Sequence, residues 1–248
     1  MRKIREEILQ AARRTLWTEE GDSVLEYLRS RGYSDDIIGL TELGAWPPEL
    51  NEGTQKELSL DVPGAGTTHR LLVPMRTPAG RLAGFAVRFV GQPPPGVPKF
   101  LYPRGLARRG ILHGLHRARR AGELAAFVEG WLDGEILWAY GIPALTLGGS
   151  RLTREQEVAL RASRIRRVII CLDDDEAGRE AARTFAERLL AEGSDGSTIY
   201  VYVVSSLDGL DPDEFIVRHG PDAFRALLRK AEPAAAWVVA QHFVGSRP

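Results

Sequence analysis

The chain is poor in cysteine. Cys171 is the only one, which excludes an internal disulfide framework and a cysteine-rich zinc site. It sits in the apolar run Val168 to Leu172 and reads as a packing residue. No apolar run approaches the ~20 residues of a membrane-spanning helix, so no membrane partner is expected. Residues Met1 to Ile8 are charged and lack the apolar core of a secretion signal, which makes the cytoplasm the expected location. The last shortage is local. From Val62 to Gly122 there is no Asp or Glu, although the chain balances 33 acidic against 33 basic residues. That stretch carries Arg70, Arg76, Arg81, Arg88, Lys99, Arg104, Arg108, Arg109, Arg117, Arg119 and Arg120. A net charge of zero therefore hides a basic half followed by a half with clustered acids. The basic half suits a polyanion. The alternative is a solvated face paired with acids elsewhere, but such faces usually mix both signs.

What is present has a clear rhythm in the second half. Apolar runs at 124–128, 144–147, 167–172 and 198–204 predict strands. Helical patterns at 132–140, 153–162 and 176–192 lie between them. This alternation predicts a small parallel sheet covered by helices on both faces. Thr153 with Gln156 forms a capping box that fixes one helix start. Residues 212–244 read as two or three helical pieces. In the first half, 3–17 and 23–31 read as helices, and Ser34 can cap a short third at 37–40. A polar connection at 51–68 is followed by strands at 71–75 and 82–90, with a hairpin turn at 77–80. The segment 91–98, with Pro93-Pro94-Pro95, reads as a stiff loop. A short basic helix starts near His113.

Three acidic clusters follow the predicted strands. Glu129 and Asp133 follow the first. Asp173, Asp174 and Asp175 follow the third. Asp208, Asp211, Asp213 and Glu214 follow the fourth. Carboxylates after successive parallel strands gather at the carboxyl edge of the sheet, where ligands of open α/β sheets bind. Their mutual repulsion is relieved by a hard divalent cation. Asp173 and Asp175, two residues apart, point to one side of an extended segment, and Asp174 points away. Each cluster alone also has a plain reading. Asp175 fits a helix N-cap, Asp133 a first-turn acid, and Asp211-Pro212 a helix start. His69, His113, His116, His219 and His242 show no metal-ligand spacing.

Together these motifs resemble a Toprim domain. Glu129-Gly130-x-x-Asp133, Asp173-x-Asp175-x-Ala177-Gly178 and Asp211-Pro212-Asp213-Glu214 carry the resemblance. More narrowly, the chain resembles the catalytic core of DnaG-type bacterial and phage primases. The segments Leu72 to Arg76, Gly84 to Arg88, Pro98 to Leu101 and Leu112 to Leu115 are similar to that family's basic subdomain. The resemblance implies an α/β fold. Its parts are an α+β basic subdomain (1–121), a small Rossmann-like Toprim sheet (122–206), and an acidic loop with a short helical carboxyl terminus (207–248). It implies that Glu129, Asp173 and Asp175 are catalytic and hold Mg²⁺ or Mn²⁺, with Asp133, Asp211 and Asp213 completing the metal site. It implies that Arg70, Arg76, Arg88, Lys99, Arg108 and Arg109 contact nucleotide or DNA phosphates. Tyr102 and Gly149 stand where the family usually has asparagine and often has threonine. The family's zinc ribbon and helicase-binding domain are not expected in a chain with one cysteine and this length.

The implied function is primer synthesis: a nucleotidyltransferase making short RNA on single-stranded DNA from nucleoside triphosphates. A replicative helicase or a separate template-recognition subunit is the implied partner. Two alternatives use the same parts: a Toprim nuclease, and a non-catalytic DNA-binding replication subunit.

Overall fold

A computed structural model describes residues 2–57, 65–148, 151–191 and 198–244. Gly149, the far end of the helix expected to reach residue 192, residues 58–64 of the 51–68 connection and the His242 side chain lie outside the described residues or side chains. The chain divides into two compact units, Met1–Arg108 and Arg109–Pro248. Residues 109–121, grouped with the first half on sequence, fall in the second unit.

The first unit opens with helices α1 (Arg2–Thr15), α2 (Asp22–Ser30) and α3 (Asp35–Leu40). Ser34 caps α3, its hydroxyl accepting from the Ile37 N–H at 3.4 Å. Strand β1 (Gly44–Ala45) and helix α4 (Glu52–Glu57) precede the hairpin β2 (His69–Arg76) and β3 (Leu82–Phe89). Strand β4 (Phe100–Leu101) completes an antiparallel sheet of order β1-β2-β3-β4. The turn falls where expected, with Gly80 at φ 83° and its N–H bonded to the Thr77 carbonyl. Ile8, Leu9 and Ala12 of α1 pack on Leu72, Leu82, Phe85 and Val87 of the hairpin. Helix α4 corrects the expectation of an irregular connection. Asn51 starts it by accepting from the Thr54 N–H at 3.1 Å.

In the second unit α5 (Leu115–Ala121) leads into β5 (Leu124–Val128), α6 (Trp131–Ala139), β6 (Ala144–Thr146) and α7 (Arg154–Arg161). Then follow β7 (Arg167–Ile170), α8 (Glu176–Leu190) and β8 (Tyr200–Val203). The chain continues through α9 (Pro212–His219), α10 (Pro221–Lys230), β9 (Glu232–Pro233) and α11 (Ala234–Val244). The sheet order is β6-β5-β7-β8-β9. The first four strands are parallel, as the alternation predicts, but β9 adds an antiparallel edge strand that two residues cannot announce in sequence. Phe127, Val168, Ile170, Val201 and Val203 form one apolar face with Phe185 of α8 and Trp237 of α11. The Phe127 and Phe185 rings lie 4.5 Å apart. The capping box is present: Thr153 accepts from the Gln156 N–H at 3.1 Å, and Gln156 accepts from the Thr153 N–H at 2.9 Å. Among the described residues no helix is long and apolar enough to cross a membrane.

Candidate active site at the carboxyl edge of the parallel sheet

Three strand-to-helix connections meet the carboxyl edge: β5 to α6, β7 to α8, and β8 to α9. Each delivers its acids through a helix N-terminus. Asp133 sits in the first turn of α6, where Oδ2 accepts from the Gly130 N–H at 2.9 Å. Asp175 is the N-cap of α8 and accepts from the Gly178 N–H at 2.6 Å. Asp211 is the N-cap of α9, with Pro212 in its first turn. The capping readings of Asp133 and Asp175 are thus correct, and Asp211 starts its helix without a side-chain cap bond. They also explain the gathering, because a cap fixes a carboxylate beside the strand end it follows.

Two glycines make these turns by leaving space. A Cβ on Gly130 would lie 2.2 Å from Asp133 Oδ2, and one on Gly178 would lie 2.0 Å from the Asp173 carbonyl oxygen. Gly130 has ordinary extended backbone, so its requirement is room for the Asp133 carboxylate. At Gly178 the small residue admits the helix itself against the Asp173 carbonyl.

Asp133, Asp173, Asp211 and Asp213 are brought together. Asp213 is buried, and its N–H donates to Asp133 Oδ1 at 3.3 Å. Burial pushes the Asp133 carboxyl well above the usual range. The charges of Asp213 and Asp173, a hydrogen bond with the Asp213 side chain and the charge of Asp211 add to the shift. Burial raises the Cys171 thiol too, reinforced by Asp133 and Asp173, which leaves it an inert packing group. Glu129 is the first residue after β5 and is half-buried; Asp175 is exposed.

Asp174 has a different task from its neighbours. Its Oδ2 accepts from the Ser206 hydroxyl at 2.8 Å, the Leu207 N–H at 2.9 Å and the Gly209 N–H at 3.1 Å. It thereby ties the loop after β8 to the loop after β7. Burial works to raise its pKa. The Gly209 and Leu207 N–H groups, the Ser206 hydroxyl and the Arg179 charge outweigh burial and hold it below the usual carboxylate range. A depressed carboxylate contributes stability above its unfolded pKa and loses it as the pH falls through the folded one. We therefore expect Asp174→Asn to lower stability by about 1–2 kcal/mol at neutral pH. Below about pH 4 the gap to the wild type should narrow, as read from urea midpoints across pH.

The donor chemistry of this edge fits a hard divalent cation, since the gathered side chains offer only oxygen. Part of the upward push on Asp133, after burial, comes from the charges of Asp213, Asp173 and Asp211, which a cation would neutralise. Among the described residues, however, no three His, Cys, Asp or Glu side chains stand together closely enough to hold a metal. Two acids are already engaged: both oxygens of Asp133 accept backbone N–H bonds, and one oxygen of Asp175 caps α8.

Comparison with known proteins places this edge in a wider setting. Residues 126–216 match the Toprim-like family. A DNA primase of Geobacillus stearothermophilus is 32% identical over 249 aligned positions, covering 90% of this chain and 40% of that protein. The DNA primase of Escherichia coli (strain K12) is 29% identical, covering 87% of this chain and 40% of that protein. The E. coli primase catalytic core superposes with a TM-score of 0.73 at 27% identity, covering 97% of this chain and 82% of that one. A DnaG primase catalytic domain bound to single-stranded DNA superposes with a TM-score of 0.76 at 26% identity, covering 96% and 81%. The chain has the fold of the primase catalytic core, with a Toprim-like domain. It spans about 40% of the length of the primase sequences it matches.

In the unit preceding the Toprim-like domain, the basic residues separate into two groups. Arg76 is buried and bonded to Glu42 and Glu6, each at 2.8 Å. Burial opposes its charge, but the two carboxylates more than compensate and raise its pKa. Arg88 is 4% exposed, donates to the Phe89 carbonyl at 2.9 Å, and lies over the rings of Tyr27 (4.6 Å) and Phe100 (5.7 Å). The expectation of phosphate contacts is therefore corrected for these two, whose guanidiniums are enclosed within the unit. Arg70 is half-buried and donates to the Glu20 carbonyl. Lys99 and Arg108 are exposed, as is Arg109 at the start of the second unit. Arg108 covers the Tyr102 ring at 3.9 Å, and Phe100 stacks on that ring from 6.4 Å. Tyr102 is thus already engaged with neighbours of its own unit.

One constellation escaped the sequence reading. Glu135, on the helix that opens the Toprim-like domain, is fully buried. It lies within hydrogen-bond distance of His113 Nε2 (2.7 Å) and pairs with Arg117 of α5. Arg117 lies 5.1 Å from the Trp138 ring, and His113 meets Trp131 edge-on. The signal was an acid among Trp131, Leu132, Ile136 and Leu137. Helix α6 is buried on every side there, so an acid on it needs a partner.

Proposed function

We propose that this chain is the catalytic core of a primase-type nucleotidyltransferase, making short RNA on single-stranded DNA. The observation that carries the reading is the gathering of Asp133, Asp173, Asp211 and Asp213 at one sheet edge, within the span that matches the Toprim-like family. The neighbour that binds single-stranded DNA supports the choice of template. Glu129, Asp173 and Asp175 would hold Mg²⁺ or Mn²⁺, with Asp133, Asp211 and Asp213 forming the acidic surround. When bound, the ion supplies activation of the attacking hydroxyl and neutralisation of the leaving pyrophosphate. The chain's own residues position the reactants. Lys99, Arg108, Arg109 and Arg70 form charge-assisted bonds to template or nucleotide phosphates. Asp174 holds the loop carrying Asp211 against the loop carrying Asp173. The location is the cytoplasm, and a replicative helicase or a template-recognition subunit is the partner.

The reaction is tested with single-stranded DNA, ribonucleotides and Mg²⁺ or Mn²⁺. Short labelled RNA is the expected product. Strand scission without synthesis would transfer the same edge to a nuclease. DNA binding without metal-dependent chemistry would leave a non-catalytic replication subunit.

Metal binding also makes a prediction about stability. Mg²⁺ at a hundred times its dissociation constant should stabilise the second unit by about 3 kcal/mol. That corresponds to a rise of roughly 6–12 °C in its melting midpoint. EDTA should reverse it, and NaCl at matched ionic strength should not reproduce it.

A further inference from the structure

We propose that the second unit holds another ligand site, on the sheet surface beside α10, for a nucleoside 5′-phosphate. A cavity of about 480 Å³ opens there, lined in part by Ile142, Ile169, Tyr202, Arg167, Arg225 and Arg229. That volume is in the usual range for small-molecule pockets. Arg167 begins β7 and Pro143, also in the lining, directly precedes β6, so the cavity borders the amino ends of the strands. The acids lie at the opposite ends, roughly 13 Å away for strands of this length.

Its chemistry differs from that of the acidic edge. Three arginines line the cavity, and no Asp or Glu does. Arg167 and Arg229 are exposed. Arg225 is held in place, donating to the Tyr140 carbonyl at 2.6 Å and to Asp222 at 2.9 Å. Most of the remaining wall is apolar, with the half-buried phenol of Tyr202 next to Ile169 across the β7–β8 pairing. With Arg225 already paired to Asp222, the exposed guanidiniums of Arg167 and Arg229 are the groups that favour an anion, and phosphate accepts their paired N–H groups well. An apolar wall with one aromatic ring favours a flat, weakly polar group. A nucleoside 5′-phosphate joins both in a molecule of suitable size. The walls come from β5, β7, β8, α10 and the turn after α6, which together form an open pocket on one side of the sheet.

The test is calorimetric titration of the whole chain with AMP and with GMP in EDTA. Without metal, the acidic edge repels phosphate, so that edge and the cavity are distinguished. One saturable site is expected, with at least one of the two mononucleotides. The double variant Arg167→Ala/Arg229→Ala should weaken it roughly tenfold. Both residues are exposed, and an unchanged melting midpoint will show that the variant is folded. Asp173→Asn should leave this binding unaltered. Adenosine and inorganic phosphate, each alone, should bind more weakly than AMP. No saturable binding of either mononucleotide would overturn the proposal. So would wild-type affinity in the double variant, loss of binding in Asp173→Asn, or inorganic phosphate binding as tightly as the mononucleotides. Primer synthesis is assayed separately, so failure here leaves the polymerase reading untouched.

Discussion

Asp173→Asn is expected to lower metal-dependent RNA synthesis roughly a thousandfold, from losing several kcal/mol of charge stabilisation in the transition state. The substitution keeps the side chain's size and removes its charge. Asp173 begins the connection between β7 and α8, and its charge contributes to raising the pKa of Asp133. Removing it makes the acidic edge less crowded, so the melting midpoint without metal should hold or rise. Single-stranded DNA binding should also persist, because its salt-dependent part is proposed to belong to Lys99, Arg108 and Arg109 rather than to Asp173. A lost rate with retained fold and retained DNA binding separates a catalytic carboxylate from a structural one. Single-turnover primer extension and a salt titration of DNA affinity measure the two quantities. Near wild-type synthesis in this variant would remove Asp173 from the chemistry.

Glu135→Ala should give the largest loss of stability in the second unit, about 3–5 kcal/mol. The carboxylate is fully buried between His113 and Arg117, so its removal leaves His113 enclosed and a partly enclosed guanidinium uncompensated. The cost arises from stranding its partners. Replacing all three by apolar residues of similar volume, as in Glu135→Leu/His113→Phe/Arg117→Leu, should recover most of the loss. Urea unfolding followed by tryptophan fluorescence checks both variants, since Trp131 and Trp138 flank the cluster. A single variant as stable as the wild type would show that the three groups are not coupled.

The parts of this fold that are written locally were legible. The β5 to β8 rhythm, the Thr153–Gln156 box and the acids after each strand depend on near neighbours, and period and capping chemistry reveal them. The placement of Asp133, Asp175 and Asp211 at helix starts was legible, while their part in a metal site stands as a proposal. Each looked like either a cap or a site acid, and the structure has the caps also gathering the acids. Arg76 was misread because its partners, Glu6 and Glu42, lie 70 and 34 residues away. A run of basic residues in sequence does not reveal which ones fold inward. Glu135 was missed for a related reason. A helix buried all round has no polar face, so an enclosed acid in its middle disturbs no periodicity. The edge strand β9 is too short for any pattern.

Anomalous scattering from crystals of the chain grown with Mn²⁺ addresses the catalytic edge most directly. The expected result is a peak bounded by the carboxylates of Glu129, Asp173 and Asp175, lost in Asp173→Asn. A peak elsewhere, or none at saturating Mn²⁺, would contradict a metal-dependent polymerase site on this sheet.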